Sequence, residues 1–294
     1  MSHFTVMVIG NNPEDQLAPY DENIQMPKTP GEIVIEEEKQ RFMEYYIKEN
    51  EDEKSLSFEQ MYEKHGDNWN GNCWEKNSQG EWWDMSTYNP DSKWDWYQLG
   101  GRWSGEYIKL KKDTKAIAIG EPGVFGNKTG VDAALKGDID WNAIRNEAEE
   151  DAGTKWDEVH KHLEDNKVDM TYIAWSTLRD QYKDDIDTAR KLYGEQEIVK
   201  SFNELNKDNK YAGFMGDGVT PYLVSREKYV KSKGDGSFST FAVVKDYKWY
   251  EKGEMGWWGM ASNEKEQDTW NQQVWKLLEG LPDDALISIY DCHI

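Results

Sequence analysis

Residues 286–292, L-I-S-I-Y-D-C, and residues 4–9, F-T-V-M-V-I, carry the fold decision. Both are short β-branched runs, and the second is closed by Gly10-Asn11-Asn12-Pro13, so each reads as a strand that ends in a turn. Phe241-Ala242-Val243-Val244-Lys245 is a third strand, which Asp246-Tyr247-Lys248 turns into Trp249-Tyr250. Between that pair and the last strand, Trp270, Val274, Leu277, Leu278 and Leu281 recur at helical spacing within 264–281, and Gly280-Pro282 supply a stop. Strands at both termini with a helix before the last predict an α+β fold. Its mixed or antiparallel sheet is built from both chain ends.

The middle of the chain is written differently. From Asp138 to about Asn206 it consists almost wholly of helix formers, with Gly153 and Gly194 as expected helix ends. Ser57-Phe58-Glu59-Gln60 is a capping box, and Thr154-Lys155-Trp156-Asp157 reads as a similar start, followed by Trp156, Val159 and Leu163 on one face. Ile173, Leu178, Tyr182 and Tyr193 mark a buried stripe. The expected organisation is therefore an aromatic-rich α+β domain over 1–135 and 208–294, with 136–207 as a helical insertion or arm. No repeat of fixed period is present.

Fifteen tryptophans and sixteen tyrosines exclude a disordered chain. Thirty-five Lys+Arg against 57 Asp+Glu give a net charge of −22, which repels phosphate backbones and argues against direct nucleic-acid binding. The acid-rich stretch 36–63 contains Glu36, Glu37, Glu38, Glu51, Asp52 and Glu53. It reads either as a solvated helix face with a loop, or as a surface complementary to a basic partner. Two distant cysteines, Cys73 and Cys292, fit a reducing cytosol. The first ten residues lack a basic leader, and no run reaches the ~20 apolar residues of a membrane span, so a cytoplasmic protein without membrane association is expected.

Residues 93–105, K-W-D-W-Y-Q-L-G-G-R-W-S-G, allow a hairpin about Gly100-Gly101. Leu99 would then pair with Arg102, Gln98 with Trp103, Trp96 with Gly105 and Trp94 with Tyr107. One face carries Trp94, Trp96, Trp103 and Tyr107. It is either sheet framework or a platform for a nucleotide or sugar. Adjacent strand residues face opposite ways, so one member of each pair Trp82/Trp83 and Trp257/Trp258 is expected at the surface or in a second interface as a candidate partner contact, the alternative being simple burial on both faces.

Chemistry is harder to find. His160 and His162 stand two apart on a predicted helix, which separates their imidazoles and counts against a metal pair. Asp291-Cys292-His293 alternate on a strand, which counts against a Cys292 nucleophile. The glycine-rich stretch 120–130 lacks the spacing of a phosphate loop. The reading is a protein that is not an enzyme and has neither metal nor cofactor.

Taken together, MSHFTVMVIG, WDWYQLGGRWSG, GEMGWWGM and LPDDALISIYDCHI span the chain, and the set resembles the phage-encoded Gabija anti-defence protein family. That resemblance implies an inhibitor whose partner is a bacterial nuclease–helicase complex and which acts in the infected host's cytoplasm. It implies an oligomer that blocks DNA binding and cleavage by protein–protein contact. No residue role is carried over from it.

Overall fold

The computed structural model describes residues 2–66, 73–121, 129–213, 217–256 and 260–294. The chain divides into two compact units, one made of Met1–Leu17 with Trp96–Ile294 and the other of Ala18–Asp95. The first begins with β1 (His3–Ile9) and α1 (Pro13–Leu17). The second holds β2 (Thr29–Ile33), α2 (Glu36–Glu49), α3 (Phe58–His65), β3 (Trp74–Lys76) and β4 (Trp82–Ser86). The first unit resumes with β5 (Trp96–Leu99), β6 (Ala133–Leu135), α4 (Trp141–Asp165), α5 (Trp175–Gln181), α6 (Ile186–Glu195), α7 (Glu197–Leu205) and α8 (Arg226–Gly236). It closes with β7 (Ala242–Lys245), β8 (Lys248–Glu251), β9 (Glu254–Met255), β10 (Ala261–Ser262), α9 (Gln267–Leu278) and β11 (Leu286–His293).

The fold is α+β, and its main sheet is assembled from both ends of the chain. Its order is β5-β11-β1-β7-β8, and β6 joins β11 on the edge that β5 also uses. β1 and β11 run antiparallel from His3↔His293 to Ile9↔Ile287. β1 and β7 run parallel, with Met7 beside Val243. Side-chain alternation then puts Met7, Ile9, Ile287, Ile289 and Val243 on one face. There they form a core with Trp270, Val274 and Leu278 of α9, Ile144 of α4 and Phe238. Each fully buried aliphatic side chain in this layer contributes ~1.5–3 kcal/mol. The opposite face of β1 and β11 is buried as well, at Phe4, Val6, Val8, Tyr290 and Cys292. The β7–β8 reversal at Asp246-Tyr247 has positive φ at both residues (52° and 59°), the primed geometry that matches strand twist.

α4 links two cores. Its early residue Ile144 packs under the sheet, while Ala152, Val159 and Leu163 join Ile198, Val199, Phe202, Val219, Tyr222 and Tyr229 in a helical cluster. The helix start expected at Thr154 and the stop expected at Gly153 do not occur. Thr154 Oγ1 donates to the Glu150 carbonyl at 2.9 Å, one turn back, and so stays within the helix. Gly153 is buried, and a Cβ there would stand 2.6 Å from Arg226 Nη2, so its small size serves packing. Ile173, expected to be buried, is 47% exposed, whereas Leu178 is buried as expected. The capping box at Ser57 is present, with Gln60 N–H donating to Ser57 Oγ and Ser57 N–H to Gln60 Oε1.

Three buried or half-buried carboxylates tie loops to this frame. Asp132 accepts from Ser104 Oγ (2.7 Å), Gly105 N–H (2.8 Å) and Gly120 N–H (2.7 Å). Asp291 accepts from Arg102 N–H at 3.0 Å and faces His3 Nδ1 at 2.9 Å. Asp217 accepts from Tyr172 Oη, Tyr193 Oη (2.9 Å), Thr220 Oγ1 (2.8 Å) and the Trp175, Val219 and Thr220 amides.

The hairpin expected about Gly100-Gly101 is not formed. β5 pairs with β11 instead, placing Leu99 beside Tyr290, Gln98 beside Asp291 and Trp96 beside His293. Residues 101–103 turn through a short 3-10 segment. The two glycines have φ of +69° and +50°, and a Cβ on either would stand 2.4 Å from an aspartate, Asp132 for Gly100 and Asp291 for Gly101. Two buried carboxylates, rather than a turn type, require that pair.

Two outcomes follow. Gly101→Ala combines a left-handed backbone with a clash against Asp291, so urea denaturation should show a loss above ~2 kcal/mol. Burial raises the Asp217 carboxyl, but its bonds from Tyr172, Thr220 and Trp175 outweigh that and hold it below the usual carboxylate range. A depressed folded-state pKa stabilises above the unfolded value of about 3.9 and the benefit is lost as pH falls through the folded value. Asp217→Asn should therefore lower thermal stability at pH 7 by several degrees and shrink that difference below about pH 4, as followed by circular dichroism.

Candidate functional site

The motifs from both termini and from 93–105 meet at one end of the main sheet. His3, Asp291, His293 and Trp96 lie there because β1, β11 and β5 bring them into register. The His3 ring lies edge-on to His293 at 4.9 Å and to Trp96 at 6.2 Å. A buried aspartate on Nδ1 is the arrangement that orients a histidine base. No described hydroxyl or thiol hydrogen-bonds His3 Nε2, however, and Asp291 is equally occupied in holding the Arg102 amide. Cys292 points to the other sheet face and is fully buried, and burial, then the Asp291 charge, push its thiol well above the usual range. Among the described residues no group of three His, Cys, Asp or Glu side chains is placed to hold a metal ion. His160 and His162 go to separate partners, the Tyr222 carbonyl (2.8 Å) and Ser201 Oγ (3.0 Å). The sheet-end cluster fastens the chain ends together.

The aromatic platform is not assembled. Trp94 is buried in the Ala18–Asp95 unit. Trp96 is 47% exposed at the start of β5. Trp103 closes the short 3-10 segment, and Tyr107 directs its hydroxyl to Thr5 Oγ1 at 3.4 Å. The four rings were expected on one hairpin face, and without the hairpin that face does not exist.

The acidic stretch belongs to the Ala18–Asp95 unit. This unit has its own aromatic core, in which Phe42 is surrounded by Tyr46, Phe58, Tyr62 and Trp74 at ring separations of 5.0–5.8 Å. α2 carries Glu36, Glu37 and Glu38 in its first turn, where carboxylates complement the helix dipole. Each also has a partner: Glu36 pairs with Lys39, Glu37 with Arg41, and Glu38 Oε2 accepts the Ile35 amide at 3.1 Å. Glu53 is buried and bonds Lys64 and His65, which hold its carboxyl below the usual range. Glu51 and Asp52 remain exposed.

Trp82 and Trp83 are both half-buried on β4, the central strand of the order β2-β4-β3. Trp82 packs edge-on against Phe58 (5.2 Å) and Tyr62 (5.1 Å), so it belongs to the core side. Trp83 takes the other face, between Glu75 and Ile33, and Ile33 is 48% exposed. Trp257 and Trp258 lie outside the described residues.

One cavity was not foreseen. It lies where α8, α9 and the start of α4 converge, with a volume of about 760 Å³, within the ~300–1,000 Å³ of small-molecule sites. Trp141 and Trp275 line it, edge-on at 5.6 Å, and Lys136, Lys228, Lys231 and Lys276 supply positive charge. Asn271, 1% exposed, lines it too; its Oδ1 accepts from Gln267 Nε2 at 2.8 Å while its Nδ2 has no partner. An unmet buried donor costs ~1–3 kcal/mol, so Asn271 is placed at some expense to the fold. Periodicity reveals Trp270 and Val274 on the core side of α9, but gives no sign that Asn271 and Trp275 frame a cavity with residues forty positions away on α8.

No known family model matches the chain, and no curated protein or solved structure shows significant similarity to it.

The thiol placement is directly checkable. In the native protein only Cys73, half-exposed and 3.0 Å from Lys28 Nζ, should react with an aromatic disulfide reagent at pH 8, and Cys292 should appear only after denaturation.

Proposed function

We propose that this chain is a non-enzymatic anti-defence protein that docks on a bacterial antiphage nuclease–helicase complex of the Gabija type and occludes its DNA track. The observation that supports this best is where the charge sits. Residues 18–95 carry 19 Asp+Glu against 8 Lys+Arg, so half of the net −22 lies on about a quarter of the chain. A protein that lays carboxylates along a basic track competes with phosphates for the same lysines and arginines, and its association is electrostatically steered.

Within that unit the carboxylates divide into two groups. Glu36, Glu37, Glu38 and Glu53 have partners inside the fold, as given above. Glu44, Glu51 and Asp52 are exposed and form no ion pair or side-chain hydrogen bond among the described residues. These are among the charges available to a partner, together with the exposed Glu32, Glu49 and Glu63. Trp83, flanked by the exposed Ile33, adds an aromatic anchor of the kind that dominates protein interfaces. In this reading the protein acts in the host cytoplasm as a homo-oligomer, and inhibition needs surface and charge rather than a nucleophile.

Light scattering on the protein alone and mixed with the purified complex, beside a DNA-cleavage assay, tests the proposal. A stable assembly with lost cleavage is expected. Replacing Glu44, Glu51 and Asp52 together with lysine should slow association at least about tenfold at ~50 mM salt, with a smaller effect at ~500 mM. Failure to form the assembly, or an association rate that the triple variant leaves unchanged, would overturn it.

A further inference from the structure

We infer that the cavity between α8, α9 and the start of α4 is a binding site for a nucleotide, a planar base carrying a phosphate. This goes beyond the docking proposal and rests on none of its residues. Four features of the cavity point to that ligand.

The first is charge. In a protein of net −22, four lysines converge on one cleft. Lys136 Nζ is held by the Leu281 carbonyl at 2.5 Å, and Lys231 pairs with Asp235. Lys228 and Lys276 have no side-chain hydrogen bond or ion pair among the described residues. The acidic groups on the rim are Asp235, Asp268 and Glu279. Asp235 is engaged by Lys231 and by Arg145 at 3.2 Å, and Asp268 accepts from Ser232 Oγ at 2.8 Å. Asp268 keeps its charge under that neutral donor, and Glu279 has no cation partner among the described residues, so four lysines face three carboxylates. The lining is net positive by one, with the Lys228 and Lys276 ammonium groups unpaired, which suits an anion.

The second is aromatic surface. Trp141 and Trp275 are both half-buried, and each anchors its indole N–H on a backbone carbonyl, Lys136 at 3.2 Å and Asp235 at 2.8 Å. The rings are fixed in place with their polar edges satisfied. Arg145 stacks over Trp275 at 5.5 Å, which leaves the remaining indole surface for an apolar or π contact. Fixed aromatic surface beside cations recognises a base with its phosphate.

The third is the orphan donor. Asn271 lines the cleft, and its Nδ2 is the buried polar atom there that lacks an acceptor. That atom lies against Gly236 of α8 and is closed to solvent, so a rotation of the Asn271 side chain has to present it to the ligand. A ring nitrogen or carbonyl oxygen of a base can then accept from it, as in sites that read a base edge with an amide. The fourth is size, since about 760 Å³ accommodates a mononucleotide with water to spare.

Isothermal titration of the full chain with AMP, ADP, adenosine and inorganic phosphate tests the assignment, with GMP and UMP to read base preference. One site per chain for at least one nucleotide is expected, with adenosine and phosphate each at least tenfold weaker. Lys228→Gln with Lys276→Gln, both at exposed positions, should weaken the nucleotide at least tenfold without moving the melting temperature. Asn271→Leu, which removes the donor, should weaken it further; if that variant melts early, the lysine pair alone decides. Absence of binding by any nucleotide, equal binding of phosphate alone, or binding that the lysine pair leaves intact overturns the proposal. None of these results bears on association with the nuclease complex, because the carboxylates tested there lie outside the cavity.

Discussion

The rest of the first unit depends on one ladder, the antiparallel pairing of β1 with β11 from His3↔His293 to Ile9↔Ile287. Both strands are buried on both faces, so neither can be stable until the other arrives. β7 adds to the free edge of β1, and β5 and β6 add to the free edge of β11. Apart from the local β7–β8 hairpin, the main sheet is joined through contacts distant in sequence, those of β1 with β11 being more than 270 positions apart. Such non-local pairing must be reached against loop-closure entropy, and it places the structure among folds that assemble slowly. The His3–Asp291 contact and the Ser2–Ile294 backbone bonds at 3.0 Å extend the ladder to its last residue pair.

Asp291 shows how that ladder organises its surroundings. It sits on the core side of β11 with its carboxylate turned to the Arg102 amide, and Gly101 lies against it. One turn of chain away, Asp132 gathers Ser104, Gly105 and Gly120 in the same fashion. A buried carboxylate is tolerated when several donors face it, and backbone amides at glycines can approach closely enough to do so. The segment after β5 is thus shaped by two side chains that come from elsewhere in the sequence.

That explains which parts of the fold were legible. β1, β7, β8, α9 and β11 are announced by local pattern, because apolar alternation, a turn and a helical stripe are properties of neighbouring residues. The same holds for the capping box at Ser57. Gly100-Gly101 misled because the local signal for a hairpin and the tertiary need for two glycines against aspartates look alike in sequence. Gly153 and Thr154 misled in the same way: a glycine needed for Arg226 to pack, beside a threonine bonded back to Glu150, reads as a stop and a start. Trp82 and Trp83 were read correctly as facing opposite ways, since alternation is local. The separate Ala18–Asp95 unit was not seen, because its core gathers Val34, Phe42, Met61 and Trp74 from separate segments, which no local pattern announces. The α8–α9 cavity was invisible for a different reason, since it exists only where two helices and the start of a third converge.

Charge then separates two kinds of surface on two parts of the chain. The Ala18–Asp95 unit uses some carboxylates for helix termini and buried ion pairs and leaves others in solvent. The α8–α9 cavity pairs Asp235 with Lys231 and Arg145 and leaves Lys228 and Lys276 without an ion pair among the described residues, four lysines facing three carboxylates. Coulombic self-repulsion in so acidic a protein would be relieved by spreading lysines evenly over the surface. Two unpaired lysines gathered instead beside fixed indoles and an unmet amide form a local exception to that expectation. A basic partner for the carboxylates and a small anion for the lysines are opposite electrostatic demands. The two features are built from residues of different units, the carboxylates from Ala18–Asp95 and the lysines from the unit that contains α8 and α9.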